Sequence, residues 1–369
     1  MIRWAALVLC LVFAAEAPAL SVPVSSTLMN GSRESYQVEV QTRQIKVSVS
    51  PQMNLTLPDG DSRILVEHEL DDRKFQMGTR YNFIFGKIKY WATYGMPVVK
   101  DIGRLEATAS DDIGFGRVYF NERFLERARS GILGAGFKVG GNHVMASAGR
   151  TSWRLAPFDN PNLEDSGLID EVGIEIRPKE LLPIQVDPIQ REGSVIRFRH
   201  GFRGMGGDYH FDKFEADVPW LDMSLPRGGS FTARTFFGQA YNVYPKLPLR
   251  ETYALGGAVA LKGYGYEEFR GEGVFLAGAE YAVEILPAHE LGFISTRIVR
   301  TDLLFFVDTG RINRAWVDPI MALKWSGGTG VALKGTVLQR YQGRLRLYAA
   351  QALEFGGRRP IYYALVDLK

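Results

Sequence analysis

Residues that could do chemistry are sparse in this chain of 369 residues. The five histidines, His68, His143, His200, His210 and His289, show neither a His-x-x-x-His spacing nor a cluster of ligands, so no zinc site is expected. No Gly-x-Ser-x-Gly elbow occurs, the turn that exposes the nucleophile of many serine hydrolases. In "HFDKFEAD" (210–217), period-two spacing puts His210, Asp212, Phe214 and Ala216 on one strand face. A hydrolase could use such a histidine, but a histidine that lines or rims a sheet is the simpler reading. The glycine cluster "GFRGMGGD" (201–208) lacks the Lys-Ser/Thr of a phosphate loop and reads as a tight turn. No enzyme, catalytic residue, metal or cofactor is expected.

Three charged residues remain: Lys262, Glu280 and Asp308. Lys262 lies in "ALGGAVALKGYGYEEFRGEG" (254–273), too polar for a core strand and too aromatic and glycine-rich for an ordinary solvated loop. Glu280 and Asp308 lie in alternating runs on either side of a break. On 301–309, Leu303, Phe305 and Val307 share one face while Asp302 and Asp308 share the other. On 273–285, Phe275, Ala277, Ala279, Tyr281, Val283 and Ile285 oppose Glu280 and Glu284. A cation on an inward-folded loop would find two carboxylates on neighbouring strands.

The elements that must position these groups are strands. In "SGLIDEVGIEIRP", Val172, Ile174 and Ile176 alternate with Gly173, Glu175 and Arg177. Ile196 and Phe198 alternate with Arg197 and Arg199, and Leu345, Leu347 and Ala349 with Arg344, Arg346 and Tyr348. Helical periodicity is nearly absent. Most runs are about 9–13 residues long, where soluble strands average about 5–6 and a tilted membrane strand needs about 9–11. One apolar and one charged face on such lengths points to a transmembrane antiparallel β-barrel with lipid outside and a charged lumen. The soluble alternative is a large β-sandwich with the same alternation turned inward.

Counted back from the C-terminus, strands are expected near 361–368, 343–353, 329–339, 301–309, 273–285, 229–240, 209–218, 194–203 and 169–177. Earlier ones are expected near 142–154, 130–139, 115–123, 103–110, 80–95, 62–69 and 36–49, sixteen in all. "YNFIFGKIKYWATYG" reads as one strand or two, so fourteen or eighteen remain alternatives.

The start of the chain reads as a secretory signal. Met1-Ile2-Arg3 precedes a twelve-residue apolar core, Trp4–Ala15, and Ala17-Pro18-Ala19 supplies the small-x-small pattern of a cleavage site. The organisation expected is a signal peptide at 1–19, a short segment at 20–35 and a barrel at 36–369. The single cysteine, Cys10, falls inside the signal, leaving no disulfide framework. With 44 basic against 41 acidic residues, net +3, no global field points to nucleic acid.

Five pieces in order carry a resemblance. Gly256-Gly257 precede Leu261-Lys262-Gly263-Tyr264; Ala279-Glu280 follows on the next strand, then Phe306-Val307-Asp308-Thr309-Gly310. Gly328-Thr329-Gly330 and the run from Gly343 to Ala349, "GRLRLYA", come after. Over about 165–369 this resembles the bacterial surface antigen family, the outer-membrane barrel of the BamA/TamA assembly-factor type. The resemblance implies that 254–273 is a long extracellular loop folded back into the lumen. Lys262 would be its tether to Glu280 and Asp308, with Gly256, Gly257, Gly263, Tyr264 and Gly310 shaping the seat. It also implies a weak seam between first and last strands, near 36–49 and 361–368, opening sideways toward lipid.

The chain departs from that pattern in three respects. Lys262 stands where arginine is usual and lacks the planar fork that can take two carboxylates at once. The chain ends "YYALVDLK" instead of on an aromatic residue. Periplasmic substrate-binding repeats are missing, so a separate periplasmic partner is expected beside outer-membrane lipid and unfolded outer-membrane protein substrates. The function implied is outer-membrane protein assembly or substrate translocation. A passive pore, made anion-favouring by Arg197, Arg199, Arg344 and Arg346, is the alternative, and a barrel lipase a more distant one.

Overall fold

The computed structural model describes strand segments between residues 37 and 177, then 194–225, 229–258, 260–286, 289–291, 296–313, 323–337, 341–354 and 357–368. The expected signal peptide and the segment at 20–35 lie outside the described residues. Nearly everything described is antiparallel strand, and no described helix is long and apolar enough to cross a membrane.

In chain order the strands are β1 (Gln37–Val40), β2 (Arg43–Lys46), β3 (Gln52–Leu57), β4 (Asp61–Leu70), β5 (Arg73–Asn82), β6 (Lys87–Val99) and β7 (Gly103–Val118). They continue as β8 (Glu122–Val139), β9 (Asn142–Pro157), β10 (Asp165–Arg177), β11 (Val195–Phe202), β12 (His210–Ser224) and β13 (Ser230–Tyr244). After β14 (Tyr253–Leu255) and β15 (Phe269–Gly271) come β16 (Gly273–Leu286), β17 (His289–Leu291), β18 (Thr296–Asn313), β19 (Lys324–Val337), β20 (Tyr341–Ala352) and β21 (Ile361–Leu368). Neighbours in sequence pair as neighbours in space from β3 to β13 and from β16 to β21. The ring closes through β13–β16 and β21–β3. The three-residue β17 shares β18 with β16.

Among the described strands the ring pairs each stave on both sides, which is what a sheet in lipid requires. The side chains are sorted inside out relative to a soluble protein. On β10, Ile174 is 50% exposed while Glu175 beside it is 7% exposed. Val172, Ile196, Phe198, Phe305, Val307 and Leu347 also face outward, while Arg197, Lys213, Glu215, Asp217 and Asp302 are buried. An inward-turned sandwich would have the opposite sorting, so a barrel with a charged interior is the architecture these residues build.

The N-terminal strands differ from those expected. The stretch 36–49 does not form the first stave: β1 and β2 make a separate two-stranded sheet, and β3 closes the ring. The expected strand at 80–95 spans parts of β5 and β6, with a break between them. The runs near 103–110, 115–123 and 130–139 merge into β7 and β8, of 16 and 18 residues. "SDDIGFG" at 110–116 looks like a turn from its polar and glycine content. Backbone ladders do not read side chains, and β7 continues through it in register, Ser110↔Ser130 to Gly116↔Phe124.

Candidate functional site

Between β13 and β16 the chain leaves the wall and enters the lumen. A short 3-10 turn at Leu249–Glu251 leads to the hairpin β14–β15, whose register runs from Tyr253↔Gly271 to Leu255↔Phe269. The tip, 256–268, turns on glycines with positive φ: Gly256 at 120°, Gly257 at 102° and Gly263 at 87°. L side chains rarely adopt that region, which is why glycine stands at all three. A Cβ on Gly256 would lie 2.2 Å from the Gly265 carbonyl oxygen, so this fold-back is closed to larger residues.

One anchor of this plug lies on β8, β11 and β12. Arg250 Nη1 donates to Glu126 Oε1 at 2.9 Å. Arg199 Nη2 donates to Glu251 Oε2 at 2.7 Å, and Lys213 Nζ reaches the same oxygen at 3.1 Å and the Glu251 carbonyl at 2.9 Å. Lys213 also sits 4.4 Å over the Tyr253 ring. Burial raises the Glu251 pKa, but the charges of Arg199, Lys213 and Arg250 outweigh it and hold the carboxyl well below its ordinary range. Leu247 adds an apolar contact to the cluster of Trp153, Leu155 and Phe211.

The tip anchors on β18 to β21. Lys262 Nζ donates to Asp308 Oδ2 at 3.1 Å, and the Lys262 backbone N–H reaches the same oxygen at 3.3 Å. The ammonium stands 4.4 Å over the Phe306 ring and 5.3 Å from that of Tyr348. Tyr363 Oη accepts from the Gly263 N–H at 3.1 Å and donates to the Tyr264 carbonyl at 3.0 Å. Tyr264 is fully buried, with its hydroxyl 3.2 Å from the Trp325 carbonyl and 3.4 Å from Glu354. Burial, then the Glu354 charge, pushes its pKa up to about 12, so it stays a neutral donor.

Of the residues singled out in the sequence, Lys262 and Asp308 meet directly. Glu280 does not take the lysine: it accepts a hydrogen bond from Tyr348 Oη at 2.8 Å. Lysine has a single compact ammonium to place, and aromatic faces occupy its other sides. Glu280, Lys262 and Asp308 nonetheless line one cavity of about 210 Å³ with Arg234 and Arg346. Gly310 makes room for the plug, since a Cβ there would lie 2.8 Å from Leu255 Cδ2. Gly257 N–H bonds the Tyr264 carbonyl at 3.2 Å, closing the tip on itself. His210 is not bonded to Asp212; His200 is, Nδ1 to Oδ1 at 2.6 Å, with the His210 ring 5.2 Å from that of His200. Arg250, Glu251, Tyr348 and Tyr363 were not singled out as anchors. Tyr348 had a signal, period-two placement on the face of Arg344 and Arg346, whereas Tyr363 and the Arg250–Glu251 pair had none.

With one anchor on β8–β12 and the other on β18–β21, the excursion reaches across the ring. The arrangement fastens a polypeptide segment; its chemistry is charge pairing and hydrogen bonding.

Comparison with solved structures identifies the fold. BamA from Haemophilus ducreyi lacking POTRA domains 1-3 superimposes with a TM-score of 0.59, covering 95% of this chain and 75% of that one at 14% identity. The fold is that of the BamA barrel. CdiB from Acinetobacter baumannii matches with a TM-score of 0.55 at 12% identity over 90% of this chain and 60% of its own. CdiB from Escherichia coli gives 0.55 at 12% identity over 89% and 68%. No family model and no curated protein matches the sequence. At these identities the likeness to BamA and CdiB is one of fold.

Proposed function

We propose that this chain is an outer-membrane barrel of the BamA/TamA type that acts in insertion or translocation of polypeptide substrates. The observation that supports this reading is the seam. Strand β3 has six residues and, among the described residues, meets β21 from Ala364↔Leu57 to Leu368↔Met53. Strands β7 and β8 pair without interruption from Gly103↔Phe137 to Val118↔Glu122. Each backbone hydrogen bond is worth about 0.5–1.5 kcal/mol net in water, and an unmade one costs more in lipid. The β3–β4 ladder is equally short, from Gln52↔Leu65 to Thr56↔Asp61. The two flanks of β3, the β3–β21 seam among them, are therefore where the ring separates at low cost, toward lipid. The plug tip is fastened to the wall that ends in this seam, through Tyr363 of β21.

On this reading the partners are outer-membrane lipid, unfolded outer-membrane proteins and a separate periplasmic chain that delivers them. The test is depletion of the protein followed by an outer-membrane proteome. Selective loss of other barrels is the expected result, and an unchanged proteome would refute an assembly role.

A further inference from the structure

The lumenal wall formed by β18, β19 and β20 gathers basic residues at one level. Arg300 stands opposite Lys334 in the β18–β19 register, and Lys334 opposite Arg344 in the β19–β20 register. Lys334 shares the face of the fully buried Ser326 and Ala332, and Arg344 that of the buried Tyr348 and Ala350, while Leu347 points outward. Arg300 reaches the buried Asp302, so all three cations belong to the lumen. Counted along the row, they stand together before the first acidic residue in register, Asp367 of β21. The row lies close to the β19–β20 turn, whose last rung is Val337↔Tyr341, at the mouth away from the plug tip.

Counter-charge at this level is shared. Arg300 Nε donates to Asp302 Oδ1, and Lys334 Nζ stands 4.0 Å from Oδ2 of the same carboxylate. Glu284 Oε2 lies 3.9 Å from Arg300 Nε. Arg344 Nε is buried without a hydrogen-bond partner among the described residues. The charges of Arg344, Arg300 and Arg346 all act on the Lys334 ammonium, against that of Asp302 in its favour. Like charges set opposite each other on neighbouring strands weaken a sheet. The side chains of Arg300 and Lys334 are nonetheless 28% and 42% exposed, so a ligand in the lumen can reach them.

We propose that Arg300, Lys334 and Arg344 form a docking row for an acidic segment of a polypeptide that enters the barrel at the mouth away from the plug. This rests on the reading of the chain as a barrel that handles polypeptide substrates, and it names the kind of segment bound. Neighbouring strands are about 4.8 Å apart, so the row spreads its charge over about 10 Å. A single small anion reaches two of these positions at most. Carboxylates on one side of an extended chain recur about every 6.5–7 Å and can follow the whole row. Both an ammonium and a guanidinium fork take a carboxylate, and each such contact relieves the repulsion along the row. Lipid phosphate is excluded as the occupant because lipid meets the outer face of the wall. Arg346, two residues further along β20 toward the plug, lines the cavity of about 210 Å³, so the basic surface leads inward.

The test uses the full chain, purified in detergent, and fluorescence anisotropy of a dye-labelled peptide of alternating serine and glutamate. Its glutamine counterpart is the neutral reference. The parent is expected to bind the glutamate peptide about tenfold more tightly, a preference that added salt reduces. Lys334→Gln with Arg344→Gln should bring the two peptides to within about twofold of each other while leaving unheated gel mobility as in the parent. Arg344→Lys alone keeps the charge and should keep most of the preference. Arg203→Gln with Arg359→Gln removes the same net charge from two exposed residues at the plug end and should leave the preference intact. An undiminished preference in the Lys334/Arg344 double variant would overturn the proposal, and so would an equal loss in the plug-end variant. Displacement of the peptide by inorganic phosphate at equal concentration would overturn it too, assigning the row to a free anion. Depletion of the protein separates the two readings. A glutamate preference carried by this row with an unchanged outer-membrane proteome removes the assembly role and leaves the docking row, and the opposite pair of results removes the row alone.

Discussion

Lys262 gives one oxygen of Asp308 two hydrogens, from its ammonium at 3.1 Å and from its own backbone N–H at 3.3 Å. The side chain and the main chain of the plug tip are therefore fixed by the same carboxylate. Lys262→Ala strands a nearly buried Asp308 on the backbone contact alone, and Asp308→Asn leaves the ammonium without its counter-charge. Each should cost about 1–3 kcal/mol. The double variant should cost less than the sum, because the second change removes a charge the first left unpaired. The readout is the temperature at which the folded band disappears on unboiled gels. If all three variants melt like the parent, the contact does not fasten the plug.

Gly263 passes close against β20. A Cβ there would lie 2.8 Å from the Ala352 nitrogen and 2.8 Å from the Gln351 carbonyl carbon, at a φ of 87°. Backbone cannot yield as a flexible side chain does, and the left-handed conformation alone costs about 1–2 kcal/mol for an L residue. Gly263→Ala should displace the tip and expose Lys262 to trypsin in the folded barrel. Gly265→Ala is the control, since its Cβ would meet only Glu268 Oε2, at 3.4 Å. Equal protection in the two variants would show that the tip does not depend on this close approach.

Glu251 makes the other anchor pH-dependent in a defined direction. Its folded pKa lies below the unfolded value of about 4.3. A depressed carboxylate contributes its stability in full above the unfolded value and loses it as pH falls through the folded one. Glu251→Gln leaves Arg199 and Lys213 with less counter-charge and should cost about 3 kcal/mol at neutral pH. The gap between parent and variant should stay constant from about pH 8 to pH 5 and narrow below about pH 4.3. Urea unfolding of the barrel in detergent across that range reads it directly. A gap that widens on acidification would mean that Glu251 carries a proton in the folded state.

The two anchors differ in how far they could be read from the sequence, for a physical reason. Asp302 and Asp308 show their face through Leu303, Phe305 and Val307 between them, since alternation is local and the apolar side is unambiguous. Lys262 stood out because its neighbours are glycines and tyrosines that no strand interior would carry. Arg250 and Glu251 sit in an ordinary-looking loop, and Arg250 pairs with Glu126, 124 residues away. Only the closed ring brings that glutamate near. Choosing among Lys262's possible partners also needed coordinates, because parity puts Glu280 and Asp308 on one face without saying which the ammonium reaches. At the N-terminal end, β3 has six residues, "QMNLTL", too short and polar to announce a stave, and β1–β2 alternate well enough to imitate one.

The plug bears on how open the lumen is. Leu255 and Phe269 are already paired as the last rung of the β14–β15 hairpin. A short Gly-Ser turn in place of residues 256–268 should therefore close the hairpin without disturbing the Arg250–Glu251 anchor. It removes Lys262, Gly263 and Tyr264 from the β18–β21 wall and merges their volume with the cavity of about 210 Å³ beneath. In planar bilayers the parent should give low, flickering conductance and the shortened chain a steady conductance severalfold higher. The same deletion should lower the melting temperature of the folded band, because Asp308, Tyr363 and Glu354 each lose a partner from the tip. Large and steady conductance in the parent, unchanged on deletion, would mean that ions pass beside the plug, and the passive-pore reading would then displace the one proposed here.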